Sequence, residues 1–299
     1  MTENTNSKFP SEADVVIVGV GGIVGSMIAY WLSELGQKNI VGLEKSSVIP
    51  SDIASTAHAS DFVYNTTHDK LGCWTTTYSR KFYEDNGFFL KKGGLEICRK
   101  GDDARWEELK RKVGSGKAFG TNVRLISAAE AKEKFPLLDE ESLMGAMWDP
   151  DAGLVIPRSQ DVVSFAVESA KDKGALKTFT DTPAIDFEIE NGRVTGVKTD
   201  KGFIKADKVV ICSGIWGPLM GKKAGVPVPL MPLEHPLLFF GPLPEAQGAE
   251  DFLVYPLLRD QGNSAYVRDT GRLHGGMLEW GFYEDKEPRL VDPEDIGNP

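Results

Sequence analysis

At 299 residues, 41% hydrophobic and 26% charged, the chain has the composition of an ordinary soluble globular protein, long enough for two intertwined lobes. A formal net charge of −10 argues against nucleic acid or an anionic membrane as a partner. Cys73, Cys98 and Cys212 are odd in number and widely spaced, with no C-x-x-C, so they read as reduced thiols, and no metal site is expected.

The opening MTENTNSKFPSE is polar and lacks the basic and apolar regions of a secretory signal, which makes the cytoplasm the default compartment. Asp14 to Glu44 then reads DVVIVGVGGIVGSMIAYWLSELGQKNIVGLE. Val15 to Val18 is an uncharged β-branched run, glycines follow at 19, 21, 22 and 25, and Ile23 to Leu35 carries helix formers up to Gly36. The order is strand, tight turn, helix. A second apolar strand, Ile40 to Leu43, closes on Glu44, which lies 19 residues past Gly25. In a dinucleotide-binding unit, glycines let the backbone approach a pyrophosphate, the helix N-terminus faces it, and an acid at this distance holds the adenosine ribose. The strict spacing G-x-G-x-x-G would need glycine at 20, 22 and 25, and position 20 is Val20. Either the turn holds one extra residue, with Gly19 as its first glycine, or Val20 replaces a glycine; the separation of Gly22 and Gly25 favours the extra residue. A transmembrane helix over Val15 to Ser33 is rejected because the glycine cluster would break it in its middle.

A loop rich in Ser and Ala follows Glu44 and bears His58. His68 to Gly87 reads as a helix, Gly93 to Cys98 as a strand, and Asp102 to Val113 as an amphipathic helix. Val123 to Ile126 is a short strand, and Ser127-Ala-Ala-Glu130 is a capping box opening a helix that ends at Phe135-Pro136. These elements break the alternating pattern and mark a second lobe. The first lobe returns with an amphipathic helix, Ser159 to Lys173, and a hairpin, Ile185 to Ile189 with Arg193 to Thr199 about Asn191-Gly192, extended by Phe203 to Lys205. Lys208 to Ser213 reads as a buried strand joining the parallel sheet, before a helix from Ile215 to Ala224. Beyond Pro227 the chain is proline-rich, with strands expected at Leu237 to Phe240, Ala265 to Arg268 and Leu273 to Met277.

The glycine turn with Glu44, Ser55-Thr56-Ala57-His58-Ala59, Leu109-Lys-Arg-Lys-Val113, Phe135-Pro-Leu-Leu-Asp139, Gly192-Arg-Val-Thr-Gly-Val197, Gly214-Ile-Trp-Gly217 and Pro232-Leu-Glu-His235 together resemble the dimethylglycine oxidase, dimethylglycine dehydrogenase and sarcosine dehydrogenase family of D-amino-acid-oxidase-like flavoproteins. The resemblance covers nearly the whole chain. It implies an α/β fold, α+β overall, in which a Rossmann-like FAD-binding domain (1–90 and 155–225) is interleaved with a mainly antiparallel substrate domain (91–154 and 226–299). It implies FAD, not NAD, held by Gly19, Gly21, Gly22, Ile23, Val24, Gly25, Glu44, Lys45, Ser55, Thr56, His58, Gly214 and Trp216. His58 matches the family histidine bonded covalently to the flavin's benzenoid ring, while His235 and Tyr266 match residues that flank the substrate. By type alone, a lone histidine is more often a surface residue and a strand tyrosine more often core; the matched motifs single these three out and give His68 and His274 no such support.

The implied reaction is oxidation of the N-methyl amine of a small molecule, dimethylglycine or sarcosine, by hydride transfer to flavin. The iminium product is open to water or tetrahydrofolate. Arg259 and Arg268 are candidate cations for the substrate carboxylate. Oxygen and an electron-transfer protein both remain open as electron acceptor. Relatives continue with a segment that completes the FAD domain and, in larger members, a folate-binding domain, so the chain reads as an N-terminal portion expected by itself to hold FAD weakly. The alternatives are a non-catalytic regulatory subunit of the same fold, or a flavin oxidase of another N-methylated amino acid.

Overall fold

The computed structural model describes residues 9–283 and 289–296. Two compact units divide the chain: one takes the chain through Ala59, Ser159–Pro232 and Leu290 onward, the other Ser60–Arg158 and Leu233–Arg289. The chain therefore passes between the units after 59, 158, 232 and 289, where the sequence suggested 90, 154 and 225. The largest difference, residues 60–90, has a simple cause. Strands Phe62–Val63 and Phe89–Lys91 both pair antiparallel with Gly153–Val155, which ties this segment to the second unit.

The first unit is built on a parallel sheet in the order Leu176–Phe179, Ile40–Leu43, Val15–Val18, Val209–Ile211. Alternate side chains serve opposite faces. Val15, Ile17 and Ile40 pack with Val163 and Val167 of helix Ser159–Asp172, while Val16, Val18, Val41 and Leu43 pack with Phe187, Val197 and Ile204 of a second, largely antiparallel sheet. Every residue of the two central strands is thus buried, which is why they read as unbroken apolar runs. The antiparallel sheet contains Ala184–Glu190 and Arg193–Thr199, joined where Asn191 (φ 51°) and Gly192 (φ 76°) supply two left-handed residues. Val209–Ile211 does join the parallel sheet, in register Val209↔Val16 and Ile211↔Val18. It is an edge strand and not the buried one expected, and Ile211 is 36% exposed.

In the second unit a seven-stranded sheet runs Leu237–Phe240, Leu278–Phe282, Ala265–Asp269, Leu257–Asp260, Gly94–Arg99, Leu143–Asp149, Arg124–Ile126. All its pairs are antiparallel except Leu257–Asp260 with Gly94–Arg99. On one face Leu95, Ile97, Leu258 and Val267 meet Ala131, Phe135 and Leu138; the Ser127 hydroxyl accepts the Glu130 N–H at 3.1 Å to start that helix. The strand expected over Leu273 to Met277 is instead a turn, with Gly271, Gly275 and Gly276 all at positive φ, and the strand begins at Leu278. The buried carboxylate of Asp269 organises the approach to that turn by accepting the N–H groups of Val254, Tyr255 and Gly271.

Candidate functional site

The glycine turn leaves Val18 at the carboxyl end of the parallel sheet. Gly19 takes φ 91°, and a β-carbon there would fall 2.6 Å from the Cys212 carbonyl oxygen, so no larger residue fits. The N–H groups of Gly19 and Val20 both donate to the Leu43 carbonyl, at 2.9 and 3.1 Å. Val20 is fully buried, its side chain filling the space above Gly42, where a β-carbon would come within 2.9 Å of it. The turn accommodates Val20 by tucking it into the core, with Gly19 close against the last strand's carboxyl end. Gly25 sits directly beneath it, since a β-carbon there would lie 2.2 Å from the Gly19 oxygen. Gly22 is the N-cap of helix Ile23–Glu34, and Gly22, Ile23 and Val24 border the crevice beyond.

Glu44 is buried and locks this turn to the following loop. Its Oε2 accepts the Gly21 N–H at 2.9 Å; Oε1 accepts the Ser46 N–H at 2.9 Å and the Ser51 hydroxyl at 3.2 Å. The Thr56 hydroxyl oxygen accepts the Ile23 N–H at 3.0 Å, which draws the 3-10 turn Ser55–His58 against the helix start. Beyond these groups opens a cavity of about 410 Å³. It lies where the strands on either side of Val15–Val18 diverge in chain order, the usual ligand position in such sheets.

Of the residues singled out from sequence, Gly19, Gly22, Ile23, Val24, Glu44, Lys45, Ser55, Thr56, Gly214 and Trp216 line this cavity. Gly21, Gly25 and His58 are not in its lining. Gly21 spends its N–H on Glu44, Gly25 packs under the turn, and His58 is exposed at the end of its 3-10 turn. Ser51, Ile53, Thr182, Pro183, Leu219 and Met220 also line the cavity and were not singled out from sequence: Ser51 and Ile53 come from the loop after Glu44, which has no motif of its own, and the other four from segments remote from the glycine turn. Among the described residues, Glu44 and Lys45 are the only charged side chains in the lining, and the Lys45 ammonium sits 4.5 Å from the Trp216 ring centroid. Apolar walls, one acid, one base and a helix N-terminus suit a nucleoside diphosphate, so these residues fit a bound dinucleotide.

In the second unit, His235 and Tyr266 both approach Tyr283: the ring centroids are 4.6 Å apart for His235 and 6.1 Å for Tyr266. Phe62 meets Tyr266 edge-on at 5.5 Å. Burial, with smaller contributions from Tyr283 and Glu279, pushes the Tyr266 hydroxyl above its ordinary range, against an opposing contribution from the Ser60 hydroxyl. Of the two candidate cations, Arg268 is fully buried and donates to Glu279 at 2.6 Å, which removes it from ligand binding. Arg259 remains half-buried, with its guanidinium 4.0 Å from the Tyr64 ring centroid. His68 pairs with Glu108 at 3.2 Å, and His274 packs against Phe239. Among the described residues no helix is long and apolar enough to cross a membrane.

The sequence profile of FAD dependent oxidoreductases matches residues 14–298. The chain is 28% identical to the mitochondrial sarcosine dehydrogenase of Homo sapiens, over 95% of this chain and 30% of that protein. It is 30% identical to the mitochondrial pyruvate dehydrogenase phosphatase regulatory subunit of Mus musculus, over 95% of this chain and 32% of that protein. It therefore spans about a third of the length of these curated relatives. The solved structure of L-proline dehydrogenase from P. horikoshii resembles it with a TM-score of 0.81 at 28% identity, covering 95% of this chain and 72% of that one.

Proposed function

Because the chain belongs to the FAD dependent oxidoreductase family, we propose that it binds FAD in the crevice of its first unit and that the protein oxidises the N-methyl amine of a glycine derivative, dimethylglycine or sarcosine. The observation that carries this reading is the crevice itself, where Gly19, the helix N-terminus at Gly22 and the buried Glu44 converge. When bound, FAD would supply a hydride acceptor, and the iminium left by the substrate would be hydrolysed by water to the demethylated amine and formaldehyde. The chain's own residues do the rest. Gly19 and the first turn of the helix receive the diphosphate, Glu44 takes the ribose, and Lys45 offsets phosphate charge. His58, on a turn anchored through Thr56, is the proposed point of covalent attachment. His235 and Tyr266 hydrogen-bond the substrate and favour its unprotonated amine, which alone has the lone pair that the oxidation needs.

A second reading rests on the similarity to the phosphatase regulatory subunit, namely a flavoprotein-like scaffold without turnover. One experiment separates the two. The purified yellow protein is mixed anaerobically with dimethylglycine, sarcosine or glycine betaine, and flavin absorbance is followed. Bleaching by the first two but not by betaine, which has no lone pair, supports the oxidoreductase. A protein that stays yellow with all three supports the scaffold.

A further inference from the structure

Beside His235 and Tyr266, the second unit holds a further ring, that of Tyr283, at the end of strand Leu278–Phe282. Gly281 of this strand stands opposite Leu237 on one side and Tyr266 on the other. Carried two residues further, the first register sets His235 across from Tyr283. The second sets Tyr283 across from Ser264, whose carbonyl oxygen accepts the Tyr283 N–H at 3.0 Å. Side chains two residues apart on a strand share a face. Tyr283 therefore meets His235 directly and Tyr266 on the diagonal, in agreement with centroid separations of 4.6 and 6.1 Å.

The two neighbours of Tyr283 depend on it unequally. The Tyr266 ring is held without it, by Gly281 beneath and by Phe62 edge-on at 5.5 Å. His235 is exposed, and among the described residues its imidazole makes no hydrogen bond or ion pair and touches no other ring. Pro236 holds the His235 backbone extended, but the terminal torsion of a histidine is broad and the proline does not restrict it. The Tyr283 ring, tilted 40° from the imidazole plane and tethered through Ser264, narrows that torsion. We propose that Tyr283 is a positioning residue for His235: its ring sets the imidazole so that one orientation meets the substrate amine. The ring does this by contact, and the Tyr283 hydroxyl is not required. The proposal rests on the reading of His235 as a substrate-facing residue.

The test has two readouts on the whole protein, with melting curves to establish that each variant is folded. The first is NMR of protein labelled at histidine Cε1, in which the His235 line is identified by its loss in His235→Ala. The Tyr283 ring current should displace that line; Tyr283→Phe should keep the displacement and Tyr283→Leu should abolish it. A line that stays in place in Tyr283→Leu overturns the proposal. The second is anaerobic flavin reduction by dimethylglycine or sarcosine. Tyr283→Leu should slow it by roughly ten-fold, as a misplaced group does, while Tyr283→Phe keeps most of the rate. Because Tyr283 acts through His235, Tyr283→Leu should cost nothing further in a His235→Ala background. Where His235→Ala is slow, a wild-type rate in Tyr283→Leu, or losses that add in full in the double variant, overturns the proposal. A displacement lost only in Tyr283→Leu, in a protein whose flavin is reduced as fast without His235, would keep the positioning contact and remove only the substrate role given to His235.

Discussion

The ring of Tyr266 occupies the space above Gly281 on the neighbouring strand, where a β-carbon would fall 2.0 Å from its Cζ and 2.2 Å from its hydroxyl oxygen. Gly281 therefore sets the direction in which that hydroxyl points. Gly281→Ala should rotate the ring off the strand at a folding cost of about 1–3 kcal/mol, and the rate of anaerobic flavin reduction should fall with it. Tyr266→Phe removes the hydroxyl and almost no volume, so its melting temperature should hold while the reduction rate drops by roughly ten- to a hundred-fold. An unchanged rate in Tyr266→Phe would make the tyrosine a packing residue.

Burial raises the Tyr266 hydroxyl above its ordinary range, so it stays protonated as the pH approaches that range. An alkaline limb in the pH profile of flavin reduction should therefore be the same in wild type and Tyr266→Phe. A limb that disappears in the variant would assign the titration to this tyrosine and contradict its raised position.

Glu44 accepts from three donors, two of them backbone N–H groups, of Gly21 and Ser46. Glu44→Ala should cost about 1–3 kcal/mol per stranded N–H and should also weaken binding of adenosine diphosphate. Calorimetry with the diphosphate, beside a denaturant melt, checks both. Loss of stability with unchanged affinity would mean that Glu44 serves the loop alone.

Arg268 and Glu279 face each other across two strands with side-chain exposures of 0% and 3%, yet among the described residues Arg268 Nε and Glu279 Oε1 have no hydrogen-bond partner. A buried pair satisfied on only one side is weak stabilisation but hazardous to break. Glu279→Leu alone should cost about 3–5 kcal/mol, whereas Arg268→Met with Glu279→Leu should sit near wild type. Urea midpoints of the two variants decide it.

His58 ends an exposed 3-10 turn whose Thr56 is fixed to the start of the first helix. If it carries the flavin, the denatured protein band should fluoresce under ultraviolet light and His58→Ala should not. A fluorescent His58→Ala band would move the attachment elsewhere.

The first unit is largely legible in the amino-acid sequence. Val15–Val18 and Ile40–Leu43 are apolar without interruption because both faces are covered, and Asn191-Gly192 signals its own turn chemistry. The second unit is less so. Leu257–Asp260 gives no clear signal because it is four residues long and half charged, although a local turn at Gln261–Ser264 joins it to Ala265–Asp269; its other partner, Gly94–Arg99, is distant in sequence. The strand expected over Leu273 to Met277 fails because its apolar ends outweigh Gly275 and Gly276, whose positive φ belongs to a turn. In the crevice, the motif residues are readable, but the meeting of Lys45 with Trp216 and the claim of Glu44 on Ser51 depend on loops that only tertiary folding brings together.

The order of strands in the first unit also bears on how the chain is made. Val15–Val18 emerges early, but its two sheet neighbours are Ile40–Leu43 and Val209–Ile211, with the whole second-unit segment Ser60–Arg158 synthesised in between. On the ribosome, the edge that awaits Val209–Ile211 stays open until that strand has been made, and the crevice that Gly214 and Trp216 help to line cannot close before they appear. Ligand capture at this site therefore waits until residues 209–216 have been made, and the open edge of Val15–Val18 needs protection until then.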